Sequence, residues 1–242
     1  MFGVQDAAEV TRVLVVTAHP DDVDFGAAGT VRSLVTSGAT VTYCIVTDGD
    51  AGWFDPTVPR SQIPGIRRAE QREAAAVLGV ADVRFLGYRD GELTVSHDLR
   101  RDITRVIRQV RPQRVITMSP VRNWDRIGAS HPDHMAAAEA TVQAIYPDAR
   151  NQFAHPSLLV DEGLGEWVVE ELWMFGSPTP NTFLDVTEHL PAKIAALRAH
   201  VSQTAHMDGL EDMIRGWMAQ AAEHGGLPEG RLAEMFHAVR TG

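Results

Sequence analysis

The sequence predicts an α/β fold with a mostly parallel sheet, and two patterns in the chain support that prediction. Short runs of apolar, β-branched residues, such as 12–17 and 41–46, lack polar alternation and are typical of buried parallel strands. Longer segments with helical spacing of apolar residues separate these runs, and such strand–helix–strand units form parallel sheets with right-handed connections. The chain has 242 residues, 44% of them hydrophobic, which is enough to bury a substantial core.

The elements follow one another in a regular order as far as Tyr146. Gly38 and Gly79 end the first two predicted helices, because glycine adopts the left-handed conformation that closes a helix, and Pro112 ends the third. The predicted strands are 12–17, 41–46, 83–86 and 114–118, and the predicted helices are 26–37, 66–78, 99–110 and a segment that begins near Pro132.

The pattern changes after Tyr146, where we expect a C-terminal elaboration of the fold. The later elements are strands at 167–175 and 182–186 and helices at 190–201 and 210–221. The last helix is amphipathic, and its apolar stripe is expected to serve packing. We therefore expect a single domain over residues 1–242, with a core of about 12–204 and a helical extension of about 205–242.

Charge and composition exclude several classes of protein. Lys and Arg total 22 against 32 for Asp and Glu, a net charge of −10, so the surface repels the phosphates of nucleic acids and of anionic membranes. Cys44 is the only cysteine, which excludes a disulfide within the chain and a cysteine-based zinc site. No apolar run reaches the ~20 residues of a membrane span, and residues 1–10 lack the features of a secretory signal, so we expect a cytoplasmic protein.

Histidine and aspartate cluster in two of the loops that leave the predicted sheet. Ligands bind beyond the carboxyl ends of parallel strands. The loops expected at that edge are 18–25, 47–65, 87–97 and 119–133. The two clusters are Ala18-His-Pro-Asp-Asp22 in the first loop and His131-Pro-Asp-His134 at the end of the fourth.

This set of side chains is typical of a hydrolase with one metal ion. Two histidines and one carboxylate form a known catalytic zinc set that leaves one coordination position open. His19 and Asp22, three residues apart on a tight turn, and His134 on the following helix could supply that set. Asp21 would then face the attacking water as general base, and His131 would stabilise the oxyanion and protonate the leaving amine.

At these residues the sequence resembles the PIG-L (LmbE-like) family of metal-dependent deacetylases. The resemblance spans about residues 12–204. Its specific motifs are the two clusters named above. Its looser matches are Thr47-Asp-Gly49, Arg67-Arg-Ala-Glu70, Leu78-Gly79, Leu86-Gly-Tyr-Arg-Asp90, Lys193 and Ser202-Gln203.

The resemblance implies a Rossmann-like three-layer α/β sandwich that holds one zinc ion and acts as an N-acetylglucosaminyl deacetylase. Carried over residue by residue, His19, Asp22 and His134 would be the zinc ligands, Asp21 the general base, and His131 the oxyanion-stabilising residue or acid. Fe²⁺ or Co²⁺ could occupy the same ligands. Related proteins are often homo-oligomers, so the resemblance is compatible with self-association.

Four further residues are candidates for substrate contact. The resemblance favours Arg67 on the second helix, with Arg68 as its neighbouring alternative. Asp48 and Asp90 each lie in an Asp-Gly turn, so turn chemistry competes with contact to a substrate hydroxyl or with support of the metal ligands. Trp53, in a long proline-rich loop, is expected to contact substrate in preference to anchoring the loop on the core.

Four residues near the motifs carry other interpretations. Val23 stands where the family commonly has Glu, and Asp24 could take over that supporting role. Asp133 is interpreted as a first-turn acid that the helix dipole favours. His200 matches a family pattern, but no chemical task is assigned to it.

Two alternative functions stay open at this point. A metal-dependent phosphoesterase would hold two metal ions, whereas these ligands suffice for one. An amidase of a larger thiol–sugar conjugate would use the same site and release a bulkier acid. A dinucleotide-binding oxidoreductase is excluded, because the first turn lacks G-x-G-x-x-G and its acids would repel a pyrophosphate. We predict a zinc-dependent amide hydrolase that removes an acyl group, expected to be acetyl, from a small-molecule amino sugar or glycoconjugate.

Overall fold

The computed structural model describes residues 10–242 and confirms the α/β sandwich, a seven-stranded and mostly parallel sheet with helices on both sides. The absence of a secretory signal was predicted largely from residues 1–9, which lie outside the described residues. Within residues 10–242, none of the helices combines the length and the hydropathy that a bilayer crossing requires.

The strands are β1 (Arg12–Thr17), β2 (Thr40–Thr47), β3 (Asp82–Tyr88), β4 (Arg114–Met118), β5 (Glu171–Phe175), β6 (Thr182–Asp185) and β7 (Ala233–Arg240). The helices are α1 (Asp22–Thr36), α2 (Ile63–Leu78), α3 (His97–Val110), α4 (Pro132–Gln143), α5 (Pro156–Val160), α6 (Leu190–Ala199), α7 (Val201–Thr204) and α8 (Leu210–His224). Short 3₁₀ turns occupy Arg60–Gln62, Ile127–Ser130 and Thr187–His189, and one π turn occupies Ala144–Ala149.

Strand β1 lies inside the parallel part of the sheet, whose strand order is β3-β2-β1-β4-β5-β7-β6. It pairs in parallel with β2 on one side and with β4 on the other. Its residues from Val13 to Val16 are fully buried, which explains why this run shows no polar alternation. Because β1 to β5 are parallel, the loops that follow them emerge at one edge of the sheet.

Several helix boundaries differ from the predicted ones, and two of the differences involve residues near the predicted site. Helix α1 begins at Asp22, not Gly26, because the Asp21 carbonyl already accepts the N–H groups of Asp24 and Phe25. Helix α6 ends at Ala199, and His200 leaves helical geometry with ψ 62°.

The C-terminal segment corrects the expectation of a helical extension. Helix α8 forms as predicted, but residues 233–240 form β7, which lies between β5 and β6 and is antiparallel to both. Phe236 of β7 packs on Trp173 of β5 with ring centroids 5.3 Å apart. The strand partners of β7 lie about 50 to 70 residues earlier in the chain, so no local periodicity indicates that this segment enters the sheet.

A buried ion pair ties β7 to helix α1. The Glu234 carboxylate accepts the backbone N–H groups of Gly29 at 3.0 Å and Thr30 at 2.7 Å. Lys193 Nζ donates at 2.7 Å both to Glu234 and to the carbonyl of Phe25, four residues before Gly29. Both charged side chains are almost completely buried. The pair therefore joins α1, α6 and β7 through hydrogen bonds that are shielded from solvent.

We expect the Glu234→Ala variant to lose about 3–5 kcal/mol of unfolding free energy, because the substitution leaves the Lys193 ammonium buried without its counter-ion. The matched control is Glu229→Ala in the preceding loop, where the side chain is exposed and a change within about 0.5 kcal/mol is expected. Urea unfolding of both variants measures the difference. Equal stability of the two would contradict the role of the pair.

Candidate active site

The loops after β1, β3 and β4 bring the predicted histidines and aspartates together. His19 follows β1, Asp90 follows β3, and His134 lies in the first turn of α4. The imidazole rings of His19 and His134 have centroids 5.1 Å apart, although 115 residues separate them in the chain. Because β1 pairs in parallel with β4, the residues that follow these two strands lie close together.

A strained turn sets the direction of His19 and Asp22. Asp21 adopts a left-handed backbone conformation with φ 91°, which is unfavourable for a residue that carries a side chain. Helix α2 stabilises the turn, because Gln71 Oε1 accepts the Asp21 N–H at 2.8 Å. The His19 N–H donates to Asp22 Oδ2 at 2.6 Å, so the two side chains leave the turn next to each other.

Two imidazole nitrogens and the two oxygens of one carboxylate form a small triangle of donor groups at this turn. Nδ1 of His19 lies 3.1 Å from Nε2 of His134 and 3.5 Å from Oδ2 of Asp22. Nε2 of His134 lies 3.1 Å from Oδ1 of Asp22. Zinc–ligand bonds of about 2.0–2.1 Å place tetrahedral donor atoms about 3.3 Å apart. The triangle thus has the spacing and the donor types that suit a zinc ion with one position left open.

The second nitrogen of His19 faces two carboxylates. Its Nε2 lies 3.1 Å from Oδ1 of Asp90 and 3.3 Å from Oδ2 of Asp133. A proton held on Nε2 leaves the Nδ1 lone pair free toward the triangle, as in sites where a carboxylate orients a metal-binding histidine. Burial lowers the pKa of His19, but hydrogen bonds to Asp133 and Asp22 outweigh burial and raise the pKa to about 12. The acids around this imidazole therefore attract positive charge strongly.

Asp133 does more than the first-turn role predicted for it. It lies in the first turn of α4 as expected, but it is fully buried, and it accepts the N–H groups of Gly91 at 2.7 Å and Leu93 at 3.2 Å. Burial opposes ionisation, yet the hydrogen bond to His19 and those from the backbone lower its pKa. Its partners lie in the loop after β3, which the local sequence cannot reveal. The sequence feature that could have drawn attention to Asp133 is the His-Pro-Asp motif that residues 131–133 share with residues 19–21.

Opposite charges hold Asp22 and His134 as an ion pair. Burial raises the pKa of Asp22, but the charge and hydrogen bond of His134 lower it far below its usual range. Burial lowers the pKa of His134, and Asp22 raises it above the ordinary value. A divalent cation among these donors would replace the proton that now balances the carboxylate.

His131 lies at the exposed mouth of the site. Its Nδ1 accepts the backbone N–H of Asp133 at 3.2 Å, which places the proton of the neutral ring on Nε2. Its ring centroid lies 5.1 Å from that of His19 and 5.3 Å from that of His134. Partial burial and the charges of these two histidines lower its pKa. His131 is therefore a neutral N–H donor placed next to the triangle.

Asp21 combines burial with one cationic partner. Burial raises its pKa, the Arg67 guanidinium 3.1 Å away lowers it, and the charge of Asp22 raises it again, with a resulting pKa of about 6. A carboxylate with this pKa is ionised at neutral pH and has greater proton affinity than an ordinary aspartate. Its environment therefore suits a general base.

Arg67, which the sequence predicts to contact substrate, lies buried against the first turn. The side chain is 3% exposed, and its amino groups donate to the carbonyls of Pro20 and Gly52 and to the carboxylate of Asp21. Gly49 leaves room for it, since a Cβ there would lie 3.0 Å from the Arg67 guanidinium carbon. Arg67 therefore positions the first turn and the loop after β2.

The other three residues that were predicted to contact substrate lie in different surroundings. Asp48 is buried and forms a two-point ion pair with Arg68, at 2.7 and 2.6 Å, that ties β2 to α2. Asp90 faces His19, and its second oxygen accepts the N–H of Ala51 at 3.0 Å. Trp53 is half-buried in the loop after β2. Of the four, Asp90 alone contacts the predicted metal ligands in the described chain.

Asp24 and His200 form a buried pair behind the first turn. His200 Nε2 lies 2.8 Å from Asp24 Oδ2, and both side chains are fully buried. Gln71 Nε2 donates to the same oxygen at 2.9 Å, which links the pair to the amide that holds Asp21. Asp24 thus supports the turn from the position next to Val23. This contact also shows that His200 has a structural role. The sequence did not indicate that role because Asp24 and His200 are 176 residues apart.

A cavity of about 430 Å³ adjoins the triangle on the side of Asp22 and His134. Its walls come mainly from α8, β7 and the carboxyl ends of β4 and β5. Trp217 and Met213 of the α8 stripe face this cavity, whereas Leu210 packs in a second core against α6. The stripe therefore both packs, as predicted, and forms a cavity wall.

Comparison with known proteins assigns the chain to a group of deacetylases. Residues 14–145 match the family model described as PIG-L: GlcNAc-PI de-N-acetylase. Diacetylchitobiose deacetylase of Thermococcus kodakarensis is 31% identical over 195 residues, which cover 81% of this chain and 71% of that protein. The 1D-myo-inositol 2-acetamido-2-deoxy-alpha-D-glucopyranoside deacetylase 1 of Saccharopolyspora erythraea is 35% identical over 239 residues, covering 79% of this chain and 77% of that protein.

A solved structure extends the similarity over nearly the whole chain. N,N'-diacetylchitobiose deacetylase from Pyrococcus horikoshii superimposes with a TM-score of 0.89 at 28% sequence identity. The alignment covers 98% of this chain and 87% of that one. It therefore includes most of the C-terminal elements as well as the parallel core.

We expect the Asp133→Asn variant to bind a divalent metal about 10–100-fold more weakly, because loss of the carboxylate charge releases the orientation of His19. The matched control is Asp98→Asn, a first-turn acid of α3 with an exposed side chain. If Asp133 served only the helix dipole, both variants would bind metal equally. Competition against a chromophoric chelator measures the affinities.

Proposed function

The chain belongs to the PIG-L family, and from that membership we propose that it hydrolyses the N-acetyl group of an amino sugar or of an amino-sugar conjugate. The observation that supports this most directly is the triangle of His19, Asp22 and His134, with Asp21 next to Asp22 in the chain and the His131 ring 5.1 Å from that of His19. The matched relatives are named as deacetylases, and nothing in the comparisons favours a phosphoesterase or a thiol–sugar amidase.

His19, Asp22 and His134 are proposed to hold one divalent metal ion. Nitrogen and carboxylate donors of this type suit zinc, although Fe²⁺ and Co²⁺ accept the same set. When bound, the metal supplies Lewis-acid polarisation of the amide carbonyl and of the attacking water. Asp90 and Asp133 keep the His19 ring turned so that Nδ1 faces the other two donors.

Asp21 is proposed to take the proton from the attacking water. Its left-handed backbone, the Gln71 hydrogen bond and the Arg67 contact fix the carboxylate next to Asp22. Arg67 prevents burial from raising the pKa further, so the group stays ionised at neutral pH. Arg67 is in this proposal a positioning residue for the base.

His131 is proposed to serve the carbonyl oxygen and the leaving nitrogen. Its Nε2–H donates to the oxygen that becomes negative when water adds, and His131 then gives this proton to the nitrogen as the C–N bond breaks. The proton that Asp21 took from the water passes through solvent to His131, which restores both residues. Water and the amide thus give acetate and a free amine. Because His131 is exposed, the amine departs toward solvent.

The loop after β2 is proposed to contact the sugar through Trp53. Gln203 and Arg67 both donate to the carbonyl of Gly52, so the residue before Trp53 is held by two side chains. Asp48 and Asp90 act in this proposal by supporting α2 and His19, respectively. The acidic chain is proposed to act in the cytoplasm on a small molecule.

We expect the purified, zinc-loaded protein to release primary amine and acetate from N-acetylglucosamine or N,N'-diacetylchitobiose. The Asp21→Asn variant should keep its metal and lose at least about 10²-fold in kcat, since the base is removed without disturbing the ligands. Because the carboxylate form is required and its pKa is about 6, kcat/KM of the unaltered protein should fall as pH decreases below about 6.

The control for this comparison is Asp161→Asn, an exposed acid far from the turn in sequence, which should match the unaltered protein. Elemental analysis verifies metal content, and amine release verifies activity. Unchanged turnover in Asp21→Asn would refute its role as base. Absence of amine release from every N-acetyl substrate would refute the proposed function.

Variants of His134 and His131 distinguish a role in metal binding from a role in catalysis. We expect His134→Ala to lose the metal, because only two of the three donors of the triangle are left. His131→Ala should retain the metal and lose about 10²–10³-fold in kcat, the usual effect of removing an oxyanion donor. Full metal occupancy in His134→Ala would contradict its role as a ligand, and metal loss in His131→Ala would contradict a role confined to catalysis.

A further inference from the structure

The cavity beside Asp22 and His134 is larger than an acetyl group requires. An acetyl group has three non-hydrogen atoms, whereas the cavity of about 430 Å³ falls in the range of about 300–1,000 Å³ that is typical of sites for much larger ligands. Its apolar wall residues include Met118, Phe175, Ile214, Trp217, Met218 and Met235. Long thioether and aromatic side chains of this kind adapt to apolar ligands of different shape.

Of the charged wall residues outside the metal site, two pair with each other and the third, an exposed arginine, stacks on a tryptophan. Lys193 and Glu234 bind each other at 2.7 Å, and Glu234 also accepts two backbone N–H groups of α1. The Arg126 guanidinium lies 4.1 Å from the ring centre of Trp217. Beyond the two metal-site residues, the cavity therefore offers a ligand mainly apolar surface.

The position of the cavity relative to His131 indicates which part of a substrate enters it. Asp22 and His134 contribute to the cavity wall, but His131 does not and is exposed. His131 serves the leaving amine in the proposed function, so the amine and its sugar lie on the exposed side. The carbon chain on the other side of the scissile carbonyl then points toward the cavity.

We propose that this cavity is an acyl-binding site that accepts straight N-acyl chains of up to about eight carbons, so that the substrates include N-acyl amino sugars beyond the N-acetyl class. The inference rests on the proposed function and specifies its substrate range. Each methylene that leaves water for such a site contributes at most about fourfold to kcat/KM. A gain of at least tenfold is therefore expected between the N-acetyl and the N-hexanoyl substrate.

The test measures amine release from glucosamine carrying N-acetyl, N-butanoyl, N-hexanoyl or N-octanoyl groups. A rise of tenfold or more from acetyl to hexanoyl supports the acyl site. Cleavage of acetyl with a fall of tenfold or more by hexanoyl overturns it and leaves the proposed function standing. Cleavage of none of the four overturns both.

A pair of alanines on α8 provides matched variants. Ala221 is buried and lines the cavity, whereas Ala219 on the same helix is exposed. Ala221→Phe should reduce the ratio of hexanoyl to acetyl kcat/KM at least tenfold, and Ala219→Phe should leave that ratio unchanged. Metal content and circular dichroism verify that both variants fold. An unchanged ratio in a folded Ala221→Phe variant would overturn the acyl site.

A second substrate distinguishes the acyl chain from an apolar group on the sugar. The octyl β-glycoside of N-acetylglucosamine places its carbon chain on the amine side of the scissile bond. The acyl site predicts that Ala221→Phe affects this glycoside no more than it affects N-acetylglucosamine. A selective loss for the octyl glycoside would assign the cavity to the aglycone and overturn the acyl assignment.

Discussion

The convergence of carboxylates on His19 is the constraint on which the site depends. Asp22 and Asp133 lie in the first turns of α1 and α4, and Asp90 lies in the loop after β3. Each of these carboxylates lies within 3.5 Å of a His19 ring nitrogen. Acids brought this close together in a protein interior repel one another unless positive charge lies among them. A protonated His19 supplies that charge in the metal-free chain, and a divalent cation supplies it in the proposed enzyme. Metal binding in the proposed enzyme would therefore be coupled to local order at this edge of the sheet.

Helix α2 provides the scaffold that this concentration of charge requires. Arg67, Arg68 and Gln71 lie within about one turn of the helix, and they contact the acids of two different loops. Arg67 and Gln71 are four residues apart, so both reach the strained Asp21 turn from one face of the helix. The proton affinity proposed for the base thus results from two opposing effects, burial and the charge of Arg67.

The late elements of the chain decide what lies next to the metal site. Strand β7 enters the sheet between β5 and β6, and the pair of Glu234 and Lys193 fixes it against α1. This arrangement places the apolar stripe of α8 over the carboxyl ends of β4 and β5, where it closes a cavity against Asp22 and His134. In the proposed enzyme, the catalytic residues therefore lie within 18–134, whereas the residues proposed to set the substrate range lie largely after 170.

Local sequence determined the parallel strands and the chemical character of the site. The runs at 12–17 and 114–118 are buried on both faces, so their composition alone identifies them, and the ends of β1 and β4 match the prediction. His19, Asp22 and His134 could be grouped because loops after parallel strands must meet at one edge. The roles of Arg67, Asp133 and His200 depended on the tertiary structure, since burial and partners more than 40 residues away decide whether a charged side chain faces substrate or supports a neighbour. The same reason applies to β7. A strand forms its backbone hydrogen bonds with other strands, so its position in the sheet depends on tertiary contacts and not on its local sequence.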